Sequence, residues 1–232
     1  MFILKYNISW SGGKDSTATI ILAHELKIPI NEIIYCRVMY NEYIPADLPV
    51  MTKFVDDSIK TFREWGYDVR IVTPKKTAVD LVYAKYKRSK CLERNGKYYG
   101  VMAFCRGHCI MSGLKQMALS KDVKPSLIGI AFDEPERLKR IRKPNRSLIA
   151  EHGLTEKDCL TLCRENDLLS PLYDIQGLNR GGCFFCPNAN KREIQHIREN
   201  FPKLYNLSCD IVKMCDYDIS LVHNNWIKEV LK

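Results

Sequence analysis

The run Ser11-Gly12-Gly13-Lys14-Asp15-Ser16 holds the residue types that bind a phosphate chain. Adjacent glycines let the backbone turn tightly and bring its N–H groups to a ligand with no Cβ in the way. A helix that begins here adds unsatisfied N–H groups and a partial positive charge. The result is an anion cradle. Lys14 adds a full charge and is expected to face solvent beside the anion. Ser11 and Ser16 offer hydroxyl donors, and Asp15 either helps hold Mg²⁺ or caps the helix. This is not a Walker loop, which sets its first glycine farther from the Gly-Lys pair. A Gly-rich turn that binds nothing is the plain alternative. The full run directly after a strand favours the anion site.

Cysteines form the second set. Cys105 and Cys109 stand four apart, so on a helix they share a face. Cys183 and Cys186 form a CxxC within Gly181-Gly182-Cys183-Phe184-Phe185-Cys186-Pro187. Glycines before and a proline after make a tight knuckle that turns both sulfurs toward one point. Two such pairs suit tetrahedral Zn²⁺ or a [4Fe–4S] cluster. Buried apolar thiols are the alternative, and it weighs more on the helical pair. His108, between that pair, is a substitute ligand or a structural histidine. Cys159 and Cys163 are also four apart, but their apolar neighbours Leu154, Leu160 and Leu162 read as core. Cys36 reads as strand core.

These residues need elements to position them. Leu4 to Trp10 is β-compatible, and Thr17 to Leu26 repeats apolar residues at helical spacing, so the glycine loop joins strand to helix. A strand over Glu32 to Tyr40, a helix over Val50 to Trp65 ended by Gly66, a strand over Asp68 to Thr73 and a helix from Thr77 to Tyr86 follow. Phe104 to Ser120 reads as helix and Ser126 to Phe132 as a fourth strand. Thr155 with Asp158 forms a capping box for another helix. Gly181 to Pro187 is a compact turn, and Lys191 to Asn200 is a helix stopped at Phe201-Pro202. Alternating strands and helices predict an α/β fold: a mostly parallel twisted sheet with helices on both faces, plus a helical, cysteine-bearing C-terminal part. The predicted division is a nucleotide-binding domain over 1–148 and the helical part over 149–232.

Composition narrows the class. The 232 residues are 46% apolar and 27% charged, which excludes a disordered or fibrous chain. No apolar run reaches the roughly 18–20 residues that span a bilayer. The first ten residues do not read as a signal peptide, so the expectation is a soluble cytoplasmic protein with no membrane partner. Thirty-six Lys and Arg against 27 Asp and Glu give +9, which favours an anionic partner such as a nucleotide or nucleic acid. Arg137, Lys139, Arg140, Arg142, Lys143 and Arg146 cluster after the fourth strand, at the edge where open α/β sheets place ligands. Lys85, Lys87, Arg88 and Lys90 form another basic run. Either run is also readable as a solvated face.

The glycine loop resembles the signature of the PP-loop ATP pyrophosphatase superfamily. With Cys105 to Lys115, Ile128 to Arg140, Gly153 to Cys163 and Ser170 to Tyr205, the chain resembles that superfamily's phosphoadenosine phosphosulfate (PAPS) reductase-like branch. The resemblance implies that Ser11 through Ser16 bind ATP with Mg²⁺ and that Lys14 and Asp15 are catalytic. It implies that Arg137 and Arg140 face substrate phosphates. It makes an iron–sulfur cluster, with zinc as the alternative, the expected occupant of Cys105, Cys109, Cys183 and Cys186. Three departures from the reductases matter. Their adjacent Cys-Cys pair is here separated by three residues, their cysteine-bearing tail is missing from Asp216 to Lys232, and Lys14 is intact where they have degraded it. The pattern is more similar to ATP-dependent adenylation coupled to sulfur transfer, which implies a tRNA or DNA acceptor and a sulfur donor protein. The alternatives are a sulfonucleotide (APS/PAPS) reductase, with Cys209 or Cys215 as nucleophile, and a nucleotide or nucleic-acid binding module with a structural zinc.

Overall fold

The computed structural model describes residues 4–88, 90–104, 109–119, 125–175, 178, 181–219 and 224–231. The chain clusters into two compact units interleaved along the sequence. The first comprises Met1–Cys36, Pro49–Val72 and Ala118–Gly181; the second comprises Arg37–Leu48, Thr73–Met117 and Gly182–Lys232. Residue 149 lies inside the first unit, within the short helix Leu148–Glu151, so these units do not follow the sequence division at 148/149.

The first unit holds an all-parallel sheet of β1 (Tyr6–Trp10), β2 (Ile30–Cys36), β3 (Val69–Val72) and β4 (Ser126–Leu127), in the order β3-β2-β1-β4. Ile8 pairs with Ile33 on one side and Leu127 on the other. Neighbouring residues Asn7 and Ile8 are both buried, as are Ile33 through Cys36. Successive strand residues point to opposite faces, so both faces are covered there, as expected of parallel strands. The expected α/β class with a parallel sheet is therefore present.

Helix α1 (Lys14–Glu25) starts directly after the glycine loop and is buried from Ser16 through Ala23. Helix α2 (Pro49–Glu64) instead has one apolar stripe, Met51, Val55, Ile59 and Phe62, at helical spacing. Trp10 ends β1 and joins these layers. Its ring meets Phe62 edge-on at 5.0 Å, and its indole N–H donates to Thr17 Oγ1 at 2.9 Å. Helices α6 (Leu148–Glu151) and α7 (Glu156–Glu165) pack on α1. The predicted capping box is present: Asp158 N–H donates to Thr155 Oγ1, and Thr155 N–H donates to Asp158.

In the second unit, α3 (Ala78–Val82) and α4 (Ile110–Leu119) precede α8 (Lys191–Asn200) and α9 (Pro202–Lys213), which pack on one another, with α10 (Asn225–Val230) against α9. Its core includes an aromatic cluster: Tyr40 lies 5.3 Å from Phe184, Phe184 5.0 Å from Phe185, and Phe185 4.8 Å from Phe104. The Phe-Phe of the cysteine knuckle is thus a core anchor.

Two elements are shorter than their patterns suggested. The fourth strand stops at Leu127; past the bridge to Arg146 the chain turns, with Ile130 N–H donating to Ile128 O and Phe132 N–H to Leu154 O. The helix from Thr77 ends at Val82, because Tyr86 N–H pairs with Lys97 O in a hairpin. Of the helix expected over Phe104 to Ser120, Ile110–Leu119 is helical, and residues 105–108 and 120 lie outside the described residues.

After β4 the chain passes hard against the first loop. A Cβ on Gly129 would lie 2.6 Å from the Ser16 nitrogen and 2.7 Å from the Asp15 carbonyl carbon. Both are backbone atoms, so no side chain can swing aside. Gly129→Ala is expected to destabilise the chain by about 1–3 kcal/mol, an overpacking cost, and to displace the glycine loop. Thermal unfolding of the variant checks the first effect and nucleotide binding the second; a wild-type melting temperature would show the approach to be loose.

Candidate anion site on the glycine loop

The loop is closed by its own polar groups. Ser11 N–H donates to Ser16 Oγ at 3.2 Å, and Gly13 N–H to Ser11 Oγ at 3.3 Å. Ser16 Oγ and Thr17 Oγ1 both donate to Gly13 O at 3.0 Å. The hydroxyls expected to reach a ligand therefore hold the loop in shape. Gly12 takes φ +75°, a left-handed conformation, and a Cβ there would meet the Met51 methyl at 2.2 Å. Gly13 sits at the helix N-cap with no side chain to cap it. Lys14 N–H is met instead by Tyr173 Oη at 3.2 Å.

Strand order makes this a ligand position. From β1 the chain steps to β2 and β3 on one side, then returns to place β4 on the other. The crevice where that reversal occurs, at the carboxyl ends of β1 and β4, is where open α/β sheets bind ligands.

Lys14 is not solvent-facing as expected. Its side chain is 14% exposed, and its Nζ lies 3.0 Å from Asp15 Oδ1 and 3.0 Å from Glu156 Oε1. Burial works against its charge, but the hydrogen bonds to Asp15 and Glu156 outweigh that and hold the ammonium above the usual lysine range. Burial also pushes the Asp15 carboxyl up, against the pull of Lys14, with Glu156 and Glu134 adding to the rise. Oxygens of Asp15, Glu134 and Glu156 lie within 4.8 Å of one another, so these three could share a cation. Glu134 also pairs with Arg137, and Asp133 accepts from Glu156 N–H at 3.0 Å. Arg137 thus stands next to the loop through Glu134, whereas Arg140 is an exposed side chain on the turn after α5 (Pro135–Leu138).

Sequence reasoning did not single out Glu134, Glu156, Tyr173 or Gly129. Asp133-Glu134 directly after a strand was a signal, since acids at a carboxyl strand edge face the crevice. Glu156 and Tyr173 are distant in sequence and carry no spacing cue.

Behind the loop, Cys159 and Cys163 are fully buried, matching their reading as core. Cys163 Sγ donates to Lys14 O at 3.2 Å.

In the second unit, the knuckle is a real turn: Cys186 N–H donates to Cys183 O at 2.8 Å and Phe184 N–H to Ala46 O at 2.8 Å. Burial pushes the Cys183 thiol up, and Asp47, Cys186 and Cys109 push the same way while Lys115 opposes them. Among the described residues, the group with ligand atoms within 4.8 Å is the carboxylate trio, not these thiols. Cys105 and His108 lie outside the described residues.

No family model matches the chain. It is 26% identical over 222 residues to the uncharacterized protein MJ0973 of Methanocaldococcus jannaschii, covering 91% of this chain and 48% of that one. The chain thus spans about half the length of that curated relative. Among solved structures it is similar to the U34-tRNA thiolase NcsA from Methanococcus maripaludis with its [4Fe-4S] cluster. That match has 17% identity and a TM-score of 0.40, and it covers 98% of this chain and 72% of that one.

Burial raises the Cys159 and Cys163 thiols from 9.0 to about 12. Folded values above the unfolded ones mean that this stability is whole below about pH 9 and lost as pH rises toward 12. The expected loss is on the order of a few kcal/mol, and Cys159→Ala should flatten the fall in denaturant midpoint across that window. Iodoacetamide at pH 8 should label exposed Cys91 in the native chain, and Cys159 and Cys163 only after unfolding. Native labelling of Cys163 would contradict its burial behind the loop.

Proposed function

We propose that this chain is a PP-loop enzyme that cleaves ATP between the α and β phosphates and adenylates an acceptor for sulfur transfer. The observation that carries the reading is the glycine loop at the β1/β4 crevice, with Lys14 at the start of α1 between two carboxylates. Phosphate oxygens would take over the Lys14 ammonium, and the first turn of α1 would add its N–H groups. An acceptor oxygen attacks the α phosphorus, the bond to the bridging oxygen breaks, and pyrophosphate leaves. A sulfur nucleophile from a donor then displaces AMP. Charge stabilisation at fixed positions is the main demand of such phosphoryl chemistry.

Mg²⁺ accompanying ATP fits this donor set. It is a hard cation bound by one or two carboxylates plus phosphate oxygens, and Asp15, Glu134 and Glu156 supply the carboxylates. In the second unit, Cys109, Cys183 and Cys186 are the proposed ligands of a thiolate-ligated centre, with Cys105, outside the described residues, as the fourth. Burial, Asp47, Cys186 and Cys109 all push the Cys183 thiol up unless a cation offsets them, which is what a cluster or zinc would do. A [4Fe–4S] centre there would supply a site for inorganic sulfur; zinc would leave the cysteines a structural role. Nucleic acid is the proposed acceptor.

A sulfonucleotide reductase fits less well. Its nucleophile must be a thiolate, and burial raises the thiols of both Cys209 and Cys215. Gly100 also packs on Cys215 so closely that a Cβ would lie 2.5 Å from its sulfur.

Pyrophosphate release from [γ-³²P]ATP tests the reading. Lys14→Ala should lower it by about 100- to 1,000-fold, the loss typical of one fixed charge-stabilising donor, and keep the wild-type far-UV spectrum. Turnover unchanged in the variant would remove the role assigned to Lys14. Anaerobic purification with iron, sulfide and zinc analysis tests the cysteine centre. Cys183→Ala should lose most of the bound metal, and a full metal content in that variant would refute the ligand set.

A further inference from the structure

Residues 83–99 of the second unit have an unusual composition, and all but residue 89 are described. Over this stretch stand Lys85, Lys87, Arg88, Lys90, Arg94 and Lys97 against one acid, Glu93. Four tyrosines, Tyr83, Tyr86, Tyr98 and Tyr99, alternate with them. The backbone is a small hairpin. Lys85 bridges to Tyr98, Tyr86 N–H donates to Lys97 O at 3.0 Å, and Tyr99 N–H donates to Ala84 O at 2.8 Å.

The hairpin is braced from behind. Tyr86 and Tyr99 pack with centroids 3.9 Å apart, and the Tyr86 and Tyr217 hydroxyls lie 3.4 Å apart. Lys97 Nζ donates to Asp216 O at 3.2 Å, and the Arg94 guanidinium sits 5.4 Å over the Tyr217 ring. The outer side is different. Tyr83 is 54% exposed and Leu92 81% exposed, and Lys85 Nζ lies 4.7 Å over the Tyr98 ring.

Pairing separates this surface from the other basic run. In that run half of the cations, Arg137, Lys139 and Arg146, are matched by Glu134, Glu136 and Glu151. Among the described residues, Lys85, Lys87, Arg88 and Lys90 have no carboxylate partner. Unmatched charge around an exposed tyrosine is a poor design for a solvated face, because it leaves both self-repulsion and apolar surface uncompensated. It is the standard design for a single-stranded nucleic acid: cations take the phosphates, and aromatic faces take the bases.

We infer that the 83–99 hairpin is a docking surface for a single-stranded or looped segment of nucleic acid. Lys85, Lys87, Arg88 and Lys90 take the phosphates, and Tyr83 stacks on a base. This rests on the proposed nucleic-acid acceptor and assigns it a surface. Stacking on a base face does not read sequence, so binding should be tolerant of sequence and selective for unpaired strands.

Fluorescence anisotropy with labelled twelve-nucleotide RNA and DNA strands, and the same RNA as a duplex, tests it. Single strands should bind more tightly than the duplex, and the sugar preference names which nucleic acid is the partner. Lys85→Ala/Lys87→Ala/Arg88→Ala should weaken binding and reduce the slope of log K against log salt by about 2, from roughly 0.7 per phosphate contact. Tyr83→Ala should cost about 5- to 100-fold in affinity, and Tyr83→Phe should keep it. Lys53→Ala, in the first unit, should bind as wild type. All five substituted positions are exposed, so circular dichroism should show folded variants. Equal duplex binding, or hairpin variants that bind as wild type, would overturn the inference. Pyrophosphate release is read separately: a chain that cleaves ATP yet binds no strand sinks this surface alone, and a chain that binds strands yet cleaves no ATP sinks the proposed reaction alone.

Discussion

Gly129 meets the first turn of α1 backbone to backbone, and the candidate site depends on that meeting. The contact is possible because no side chain stands between β4's exit and the Asp15–Ser16 peptide. It carries the chain into the crevice, so that Asp133 and Glu134 arrive beside the glycine loop. Asp133 then accepts from Glu156 N–H and fixes the start of α7, which brings Glu156 onto Lys14. Three distant segments thus converge through one close approach. The rest of the loop is held from its flanks, by Trp10 on Thr17, Met51 under Gly12 and Tyr173 on the Lys14 amide.

The charge balance of this site is as instructive as its shape. A helix N-terminus and a lysine alone would attract any anion. Here Asp15 and Glu156 pair with the lysine, Glu134 stands beside them, and burial makes ionising Asp15 costly. A bare phosphate chain entering the crevice would meet those carboxylates and gain little. A phosphate chain carrying a divalent cation would satisfy both signs at once. The local electrostatics therefore suit the proposed reaction of ATP with its divalent cation better than binding of a metal-free sulfate ester.

Much of this was legible in the sequence where one local pattern dominated. The glycine loop, the Thr155–Asp158 box and the helix Lys191–Asn200 depend on neighbours within a few residues, and each is present in the structure. The length of β4 was not legible. Ser126 to Phe132 has strand composition throughout, but its later amides pair with Arg146 and Leu154, partners chosen by tertiary packing. Burial of Lys14 was missed for the same reason, since its partner Glu156 is 142 residues away. The division of the chain is also invisible locally: the units exchange segments at residues 37, 49, 73, 118 and 182, none marked by a linker composition.

Net charge shows most clearly what a sequence total conceals. The +9 of the chain says that an anion is welcome, and two basic runs compete for it. By count the run after β4 is as strong as the one before α4. Only geometry shows that acids one turn away, Glu134, Glu136 and Glu151, already satisfy half of the first run. Exposed ion pairs of this kind contribute little to stability, but they do cancel field. What remains outward is set by the unmatched cations, and on the 83–99 hairpin these stand beside an exposed tyrosine. An anion-binding surface is therefore identified by which charges lack partners, not by how many there are.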